Sequence, residues 1–285
     1  VRILITNDDG IESEGIHELV RTLARSDHDL VVVAPSSDWS GSGAALGDLD
    51  PQRPLDVRRV EIPGAEQVPA WGLAGPPALT VVASRLGAFG EPPDLVVSGI
   101  NAGLNTGRSI LHSGTVGAVL AAQNFGISGL AVSVAASDPW QWASAAQIAL
   151  EVLPRVAAAP ARSAVNLNVP ALPREEVKGI RWARIAPFGA VRAVMRAATD
   201  SLIEFRLEPT GYEPPLDTDQ GCVDAGYAAL TTLVGIVEAW PTPIEADGSD
   251  LAVDAHLVPG AELHPVHEVP DASDHRLLRR PALGT

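Results

Sequence analysis

Two carboxylates stand side by side near the start of the chain, in the run Asn7-Asp8-Asp9-Gly10. Adjacent acids repel each other, and a hard divalent cation between them is the economical way to relieve that repulsion. A plain turn followed by a helix cap is the alternative, because Asn, Asp and Gly are ordinary turn residues. Further oxygen donors lie downstream. Ser40 sits in a loop rich in hydroxyls and glycine, Ala34-Pro35-Ser36-Ser37-Asp38-Trp39-Ser40-Gly41-Ser42-Gly43. Asn101 sits in Ser98-Gly99-Ile100-Asn101-Ala102-Gly103-Leu104-Asn105-Thr106-Gly107, where Gly103 and the other glycines let the backbone approach a ligand closely. His112-Ser113-Gly114-Thr115-Val116 then opens an apolar helix. Ser113 or Thr115 would cap that helix. The same residues at a helix N-terminus also make an anion site, because free N–H groups and the helix dipole favour negative charge.

The elements that must carry these residues read as strands and helices in alternation. Ile3 to Ile5 is a short apolar run leading straight into the two acids, as expected of a strand buried on both faces of a parallel sheet. Ile16, Leu19, Val20, Leu23 and Ala24 form one stripe of a helix over 15–26. Leu30 to Ala34 is a second apolar strand, completing a right-handed β-α-β unit. Alternation over 57–62 predicts an antiparallel excursion, and Ala78 to Leu86 a helix entered through proline. Asp94 to Ser98, Leu130 to Val134 and Ala164 to Pro170 are further strands, with a long helix over about 140–158. Parallel strands point their carboxyl ends the same way, so Asp8, Asp9, Ser40, Asn101 and Ser113–Thr115 should converge on one sheet edge. Ligands of open α/β sheets bind there.

The expected fold is therefore α/β, a Rossmann-like three-layer sandwich on a mostly parallel sheet, with a C-terminal β-rich antiparallel arm. Residues 1–170 read as the metal- and phosphate-binding core, and 171–240 as the arm, suited to oligomerisation. The Pro-, His- and Asp-rich 241–285 reads as an extended tail. In the arm, 180–185, 202–207 and 227–233 are the expected strands, and no helical stretch is as clear as those before it.

Composition narrows the classes. The chain has 285 residues, 46% of them hydrophobic, enough for a large core. A net charge of -15 and a pI near 4.8 argue against binding a nucleic-acid duplex or an anionic membrane. One cysteine, Cys222, excludes an internal disulfide and a cysteine-built metal site. With no leader pattern at the start and no apolar run of about 20 residues, a cytoplasmic protein is expected. The four loops offer two carboxylates, a hydroxyl and an amide oxygen. That all-oxygen set suits Mg²⁺ or Mn²⁺, with Ca²⁺ able to substitute, and suits zinc poorly. An ion beside a helix N-terminus is what phosphate-ester hydrolysis needs: the ion acidifies a water and polarises a phosphoryl oxygen, and the N–H groups stabilise its charge.

In these motifs the chain resembles the SurE family of metal-dependent nucleotidases, the stationary-phase survival proteins. Asn7-Asp8-Asp9-Gly10-Ile11 is similar to its opening motif, Ala34-Pro35 with Ser40-Gly41 to its second loop, and Ser98 to Gly103 with Asn105, Gly107 and Ser113-Gly114-Thr115-Val116 to its longest. Asp217 to Asp219 followed by Ala225-Gly226-Tyr227 resembles its C-terminal strand region. The resemblance implies that Asp8, Asp9, Ser40 and Asn101 hold one divalent ion per subunit. It implies hydrolysis of nucleoside monophosphates to nucleoside and phosphate by a metal-activated water, in a homodimer or homotetramer. On this reading Asp8, Asp9, Asn101 and Ser113 are catalytic, and Asn101, Gly103, Ser113, Gly114 and Thr115 bind the phosphate. His112 flanks the helix cap as a lesser candidate for a proton donor, and Trp39 is a candidate stacking face for a base.

The chain departs from the family pattern at Gly75-Pro76-Pro77-Ala78-Leu79-Thr80, where the family has Gly-Thr-Pro-Ala-Asp-Cys. Ala121-Ala122 replaces a Glu-Gly pair, and Ala44-Ala45-Leu46-Gly47 replaces Ser and Thr. The alternatives are thus a member acting on another phosphate ester, or a non-catalytic metal- and nucleotide-binding protein. A dinucleotide enzyme lacks its Gly-x-Gly-x-x-Gly after the first strand. A phosphatase of the haloacid-dehalogenase type would space its acids by one residue.

Overall fold

Arg2–Thr6 forms β1, whose Ile3, Leu4 and Ile5 are fully buried, as a strand covered on both faces requires. The structure, a computed structural model, describes residues 1–50, 52–188, 191–199, 201–209 and 211–237. The expected tail at 241–285 lies outside the described residues. After β1 come α1 (Glu14–Leu23), β2 (Asp29–Pro35), β3 (Val57–Val60), β4 (Ala70–Leu73), α2 (Pro77–Arg85) and β5 (Leu95–Ala102). A 3-10 helix, Gly107–His112, leads into α3 (Gly114–Asn124), then β6 (Ser128–Val134), α4 (Trp142–Ala157) and β7 (Ala164–Val169). The later elements are β8 (Ile180–Trp182), β9 (Val191–Ala198), β10 (Ile203–Pro209), α5 (Asp219–Asp224) and β11 (Ala228–Leu233).

The nine-stranded sheet runs β3-β4-β2-β1-β5-β6-β7-β11-β8. From β4 to β7 every neighbouring pair is parallel, and the antiparallel pairs are β3 with β4 and β7 with β11. Alternate residues of the central strands feed two faces. Ile3, Ile5, Val32 and Val97 pack with Ile16, Leu19 and Leu23 of α1 and Ile148 and Val152 of α4. Leu4, Val31, Val33 and Val96 pack with Leu79 and Val81 of α2 and Ala118 and Ala122 of α3. This is the expected three-layer α/β sandwich.

The strands described after residue 170 divide between two sheets. β11 pairs antiparallel with β7 and β8 pairs parallel with β11, because Ala228, Ala229 and Leu230 are buried against the core. β9 and β10 form a separate antiparallel pair near the C-terminus, with a bulge at Glu204/Phe205. The sequence reading did not single out α5, the helix between β10 and β11. Its start is fixed by Thr218, whose side chain accepts the Gly221 N–H. Among the described residues, no helix is long and apolar enough to cross a membrane.

Candidate active site

β1 lies between β2 and β5, and the chain leaves it first to one side and later to the other. Such a reversal opens a crevice at the carboxyl ends of the strands. Asp8 and Asp9 follow β1 after Asn7, and Asn101 is the next-to-last residue of β5. The register of β5 with β6 breaks after Ser98 and resumes at Asn101, so the local irregularity re-aims Asn101. Gly99 permits it: its φ is +137°, and a Cβ there would lie 2.3 Å from the Val132 carbonyl oxygen. The Asn101 side-chain N–H₂ donates to the Gly103 carbonyl at 2.7 Å, which leaves Oδ1 facing the site.

Thr115 is the hub. Its hydroxyl donates to Asp8 Oδ1 and lies 3.2 Å from Asn101 Oδ1. One proton cannot serve both, so with the carboxylate taking it, the amide oxygen keeps its lone pairs. Asp8 is buried, and the start of α3 closes on it: a Cβ on Gly114 would stand 2.7 Å from Asp8 Cβ and 2.8 Å from Asp8 Oδ2. Asp9 Oδ2 accepts the Ala102 N–H at 3.3 Å, which brings the second acid beside Asn101.

Ser40 is placed differently. Trp39 N–H donates to the Asp8 carbonyl at 2.8 Å, so the second loop does reach β1. The exposed Ser40, however, gives both its hydroxyl and its N–H to Asp38 Oδ1, each at 2.7 Å. Among the described residues its hydroxyl has no bond to Asp8, Asp9 or Asn101. Ser113 accepts the Val116 N–H at 3.1 Å, so its hydroxyl caps α3. His112 is exposed at the end of the 3-10 helix, and its carbonyl accepts the Gly43 N–H at 3.1 Å. Trp39 is half-buried with its indole N–H unpartnered among the described residues.

The electrostatics are those of a site made for a positive charge. Burial raises the Asp8 carboxyl above the usual carboxylate range, against the opposing bonds from Thr115. Asp9 is pushed up to about 6, first by burial and then by the Asp8 charge beside it, with Asp38 adding to the field. Asp38 itself is lowered by its bonds to Ser40. Among the described residues no Lys, Arg or His pairs with Asp8, Asp9 or Asp38. No group of three His, Cys, Asp or Glu is present among them either. The donors gathered here are two carboxylates with the amide oxygen of Asn101, and that set fits a hard cation.

Sequence reasoning missed Asp38 as the partner of Ser40, and Ser42, whose buried hydroxyl has no partner among the described residues and lies near Gly114. Their loop was already conspicuous for its hydroxyls, but nothing in it says which side chains face inward. The departures at Leu79 and Ala121 lie in the apolar layer with Leu4 and Val31. They line helix packing rather than the carboxylates.

The Survival protein SurE family model matches residues 3–189. A 5'-nucleotidase SurE from Gloeobacter violaceus is 36% identical over 251 residues, covering 82% of this chain and 89% of that one. One from Chloroflexus aggregans is 37% identical, covering 80% and 91%. The crystal structure of SurE from Aquifex aeolicus superposes with a TM-score of 0.71 at 29% identity, covering 84% of this chain and 96% of the other. With the family model, these relatives and the carboxylate crevice in agreement, the chain belongs to the SurE family.

Proposed function

We propose that the chain is a 5'-nucleotidase that hydrolyses nucleoside monophosphates and depends on one divalent cation. The observation that carries this is the pair Asp8 and Asp9: desolvated, raised, and without a cationic partner among the described residues, at the switch point beside the start of α3. Asp8, Asp9 and Asn101 Oδ1 would hold the ion, Mg²⁺ or Mn²⁺, with Ser40 completing the set. The bond to Asp38 occupies the Ser40 proton and leaves its lone pairs free. When bound, the ion supplies an acidified water and polarises a phosphoryl oxygen.

The remaining work falls to the chain itself. Thr115 holds Asp8 in one orientation and leaves Asn101 Oδ1 open. Gly114 and Thr115, at the start of α3, turn their backbone N–H groups towards Asp8, so the helix N-terminus lies beside the carboxylates where a phosphoryl group would sit, and Gly103 fixes Asn101. Ser113 contributes by capping that helix, so its role is to shape the phosphate cradle. The relatives' names, 5'-nucleotidase SurE, support the nucleotide as substrate.

A second copy of the chain completes the picture, as a homodimer or homotetramer in the cytoplasm. A two-stranded sheet alone is marginal in water. β9–β10 nevertheless exposes Met195, Ile203 and Phe205 by 61%, 58% and 67%. The direct test is phosphate release from nucleoside monophosphates and simple aryl phosphates, with Mn²⁺, with Mg²⁺ and with chelator. Release that requires the metal and favours nucleotides is expected. Binding of metal and nucleotide without release would instead support the non-catalytic alternative.

A further inference from the structure

One buried carboxylate joins the phosphate loop to the root of the β9–β10 hairpin. Asp219, at the start of α5, has no solvent exposure. Its Oδ2 accepts the Gly107 N–H at 2.9 Å, while its Oδ1 accepts the N–H of Ala186 at 2.9 Å and of Gln220 at 2.8 Å. Its own N–H donates to the Arg184 carbonyl at 2.8 Å, so the segment ahead of β9 is clasped twice. Beside it the Thr106 hydroxyl donates to Gln220 Oε1, both side chains buried. Gly107 is the first residue of the 3-10 helix that runs into Ser113, the cap of α3.

A buried carboxylate without a cation is tolerated where N–H groups satisfy it. Here those groups come from three separate stretches of chain, and among the described residues no cationic side chain pairs with Asp219. One oxygen faces the loop and the other faces the hairpin root and α5. The charge therefore acts as a tether on the segment that delivers the start of α3 to Asp8.

We infer that Asp219 is a positioning residue for the phosphoryl group: it fixes the Gly107–Ser113 segment, and through it the N-terminus of α3. The inference rests on the phosphatase reading above. Metal binding should depend on this tether much less than phosphate binding does, because Asp8 and Asp9 follow β1 and reach α3 only through Gly114 and Thr115.

The test compares Asp219→Asn and Thr106→Val with the unaltered full chain. An Asn keeps the size but offers one acceptor oxygen. That oxygen satisfies the Ala186 and Gln220 pair, and the amide N–H₂ then confronts the Gly107 N–H. Three quantities are read: the Mn²⁺ dissociation constant by electron paramagnetic resonance, the affinity of the Mn²⁺-loaded chain for inorganic phosphate by calorimetry, and kcat and KM with a nucleoside monophosphate. Asp219→Asn should weaken phosphate binding and lower kcat by about 10- to 100-fold, as small misplacements at a reacting centre do, with Mn²⁺ affinity within about 3-fold. Thr106→Val, which removes one neutral bond, should shift phosphate affinity the same way by about 3-fold.

Unchanged phosphate affinity and kcat in a folded Asp219→Asn chain would overturn the inference. So would loss of Mn²⁺ binding in step with phosphate, because that marks general loosening. If Asp219→Asn does not fold, Thr106→Val decides, and phosphate affinity unchanged there sinks the inference. An unaltered chain that binds Mn²⁺ and phosphate but releases none from any ester would contradict the phosphatase reading instead, while the binding measurements still decide on Asp219.

Discussion

The switch-point crevice and the β9–β10 hairpin break the ordinary partition of residues in opposite directions. At the crevice, charged groups are buried: Asp8 is 2% exposed and has no cationic partner among the described residues. At the hairpin, apolar groups are bare: Phe205 and Met195 stand directly opposite each other across the two strands, 67% and 61% exposed. A buried polar group and an exposed apolar patch are the two informative departures from hydrophobic-inside packing. Each is costly in the isolated chain and each is relieved by something added. The chemistry of the departure suggests what: oxygens suit a hard cation, and the exposed Met195, Ile203 and Phe205 suit another apolar surface.

The largest expected effect is at the crevice. Asp8→Asn removes charge with little change of shape. It should cut metal-dependent turnover by about 1000-fold, at the upper end of what loss of one preorganised electrostatic group costs an enzyme. Retained activity with retained metal would make the two halves of the comparison unalike, leaving only the hairpin as an incomplete site.

At the hairpin, Met195→Glu with Phe205→Glu places two like charges opposite each other on the proposed contact face. Light scattering should then report a smaller assembly than the unaltered chain, because each buried aromatic or Met side chain contributes about 1.5–3 kcal/mol. An unchanged assembly would assign the interface elsewhere.

Thr115→Val sharpens the crevice side. It keeps the volume and removes the hydroxyl donor to Asp8 Oδ1, leaving the backbone N–H bonds in place. Metal affinity or turnover should fall by about 10- to 100-fold, as for partners that orient ligands. A variant indistinguishable from the unaltered chain would show that Asp8 needs no such orientation.

The smallest effect belongs to His112. It is exposed, and only its carbonyl is tied to the second loop, through the Gly43 N–H. His112→Gln should lower kcat by less than about 10-fold, short of the 10²–10⁴ that a general acid or base typically contributes. A larger fall than that of Asp9→Asn, with metal bound in both, would move catalysis from the ion to the histidine.

The sequence made the sheet legible because apolar runs such as Ile3–Ile5 and Val31–Val33 end in turn residues, and because parallel strands share a carboxyl edge. It made Asp8, Asp9 and Asn101 legible because they stand at those ends. The partner of each hydroxyl was not legible. Ser113 could cap or bind phosphate, and the local N-cap geometry gave its oxygen to Val116 N–H. Thr115 became the hub through a tertiary contact, as its helical position aims it at Asp8 after β1. The strand at β11 was readable from the largely apolar stretch 227–233, but which sheet it joins depends on pairing with β7 over 60 residues away in chain order, about which periodicity is silent. Leu79 and Ala121 read as lost polar residues, whereas the structure shows them filling the layer between α2 and α3.

Whether Asp8 and Asp9 hold a cation is tested most simply by Mn²⁺ binding to the metal-free chain as a function of pH. Asp9 is raised to about 6, so in the metal-free fold it holds a proton that the unfolded chain releases nearer the usual carboxylate range. Its burial therefore lowers stability as pH rises from about 4 to 6, and a cation reverses that loss. One Mn²⁺ per chain is expected, with affinity rising as pH passes through about 6, proton release on binding, and a melting temperature raised by the metal most strongly above pH 6. Binding that is absent, or equal in strength at low and neutral pH and unaltered in Asp9→Asn, would contradict it.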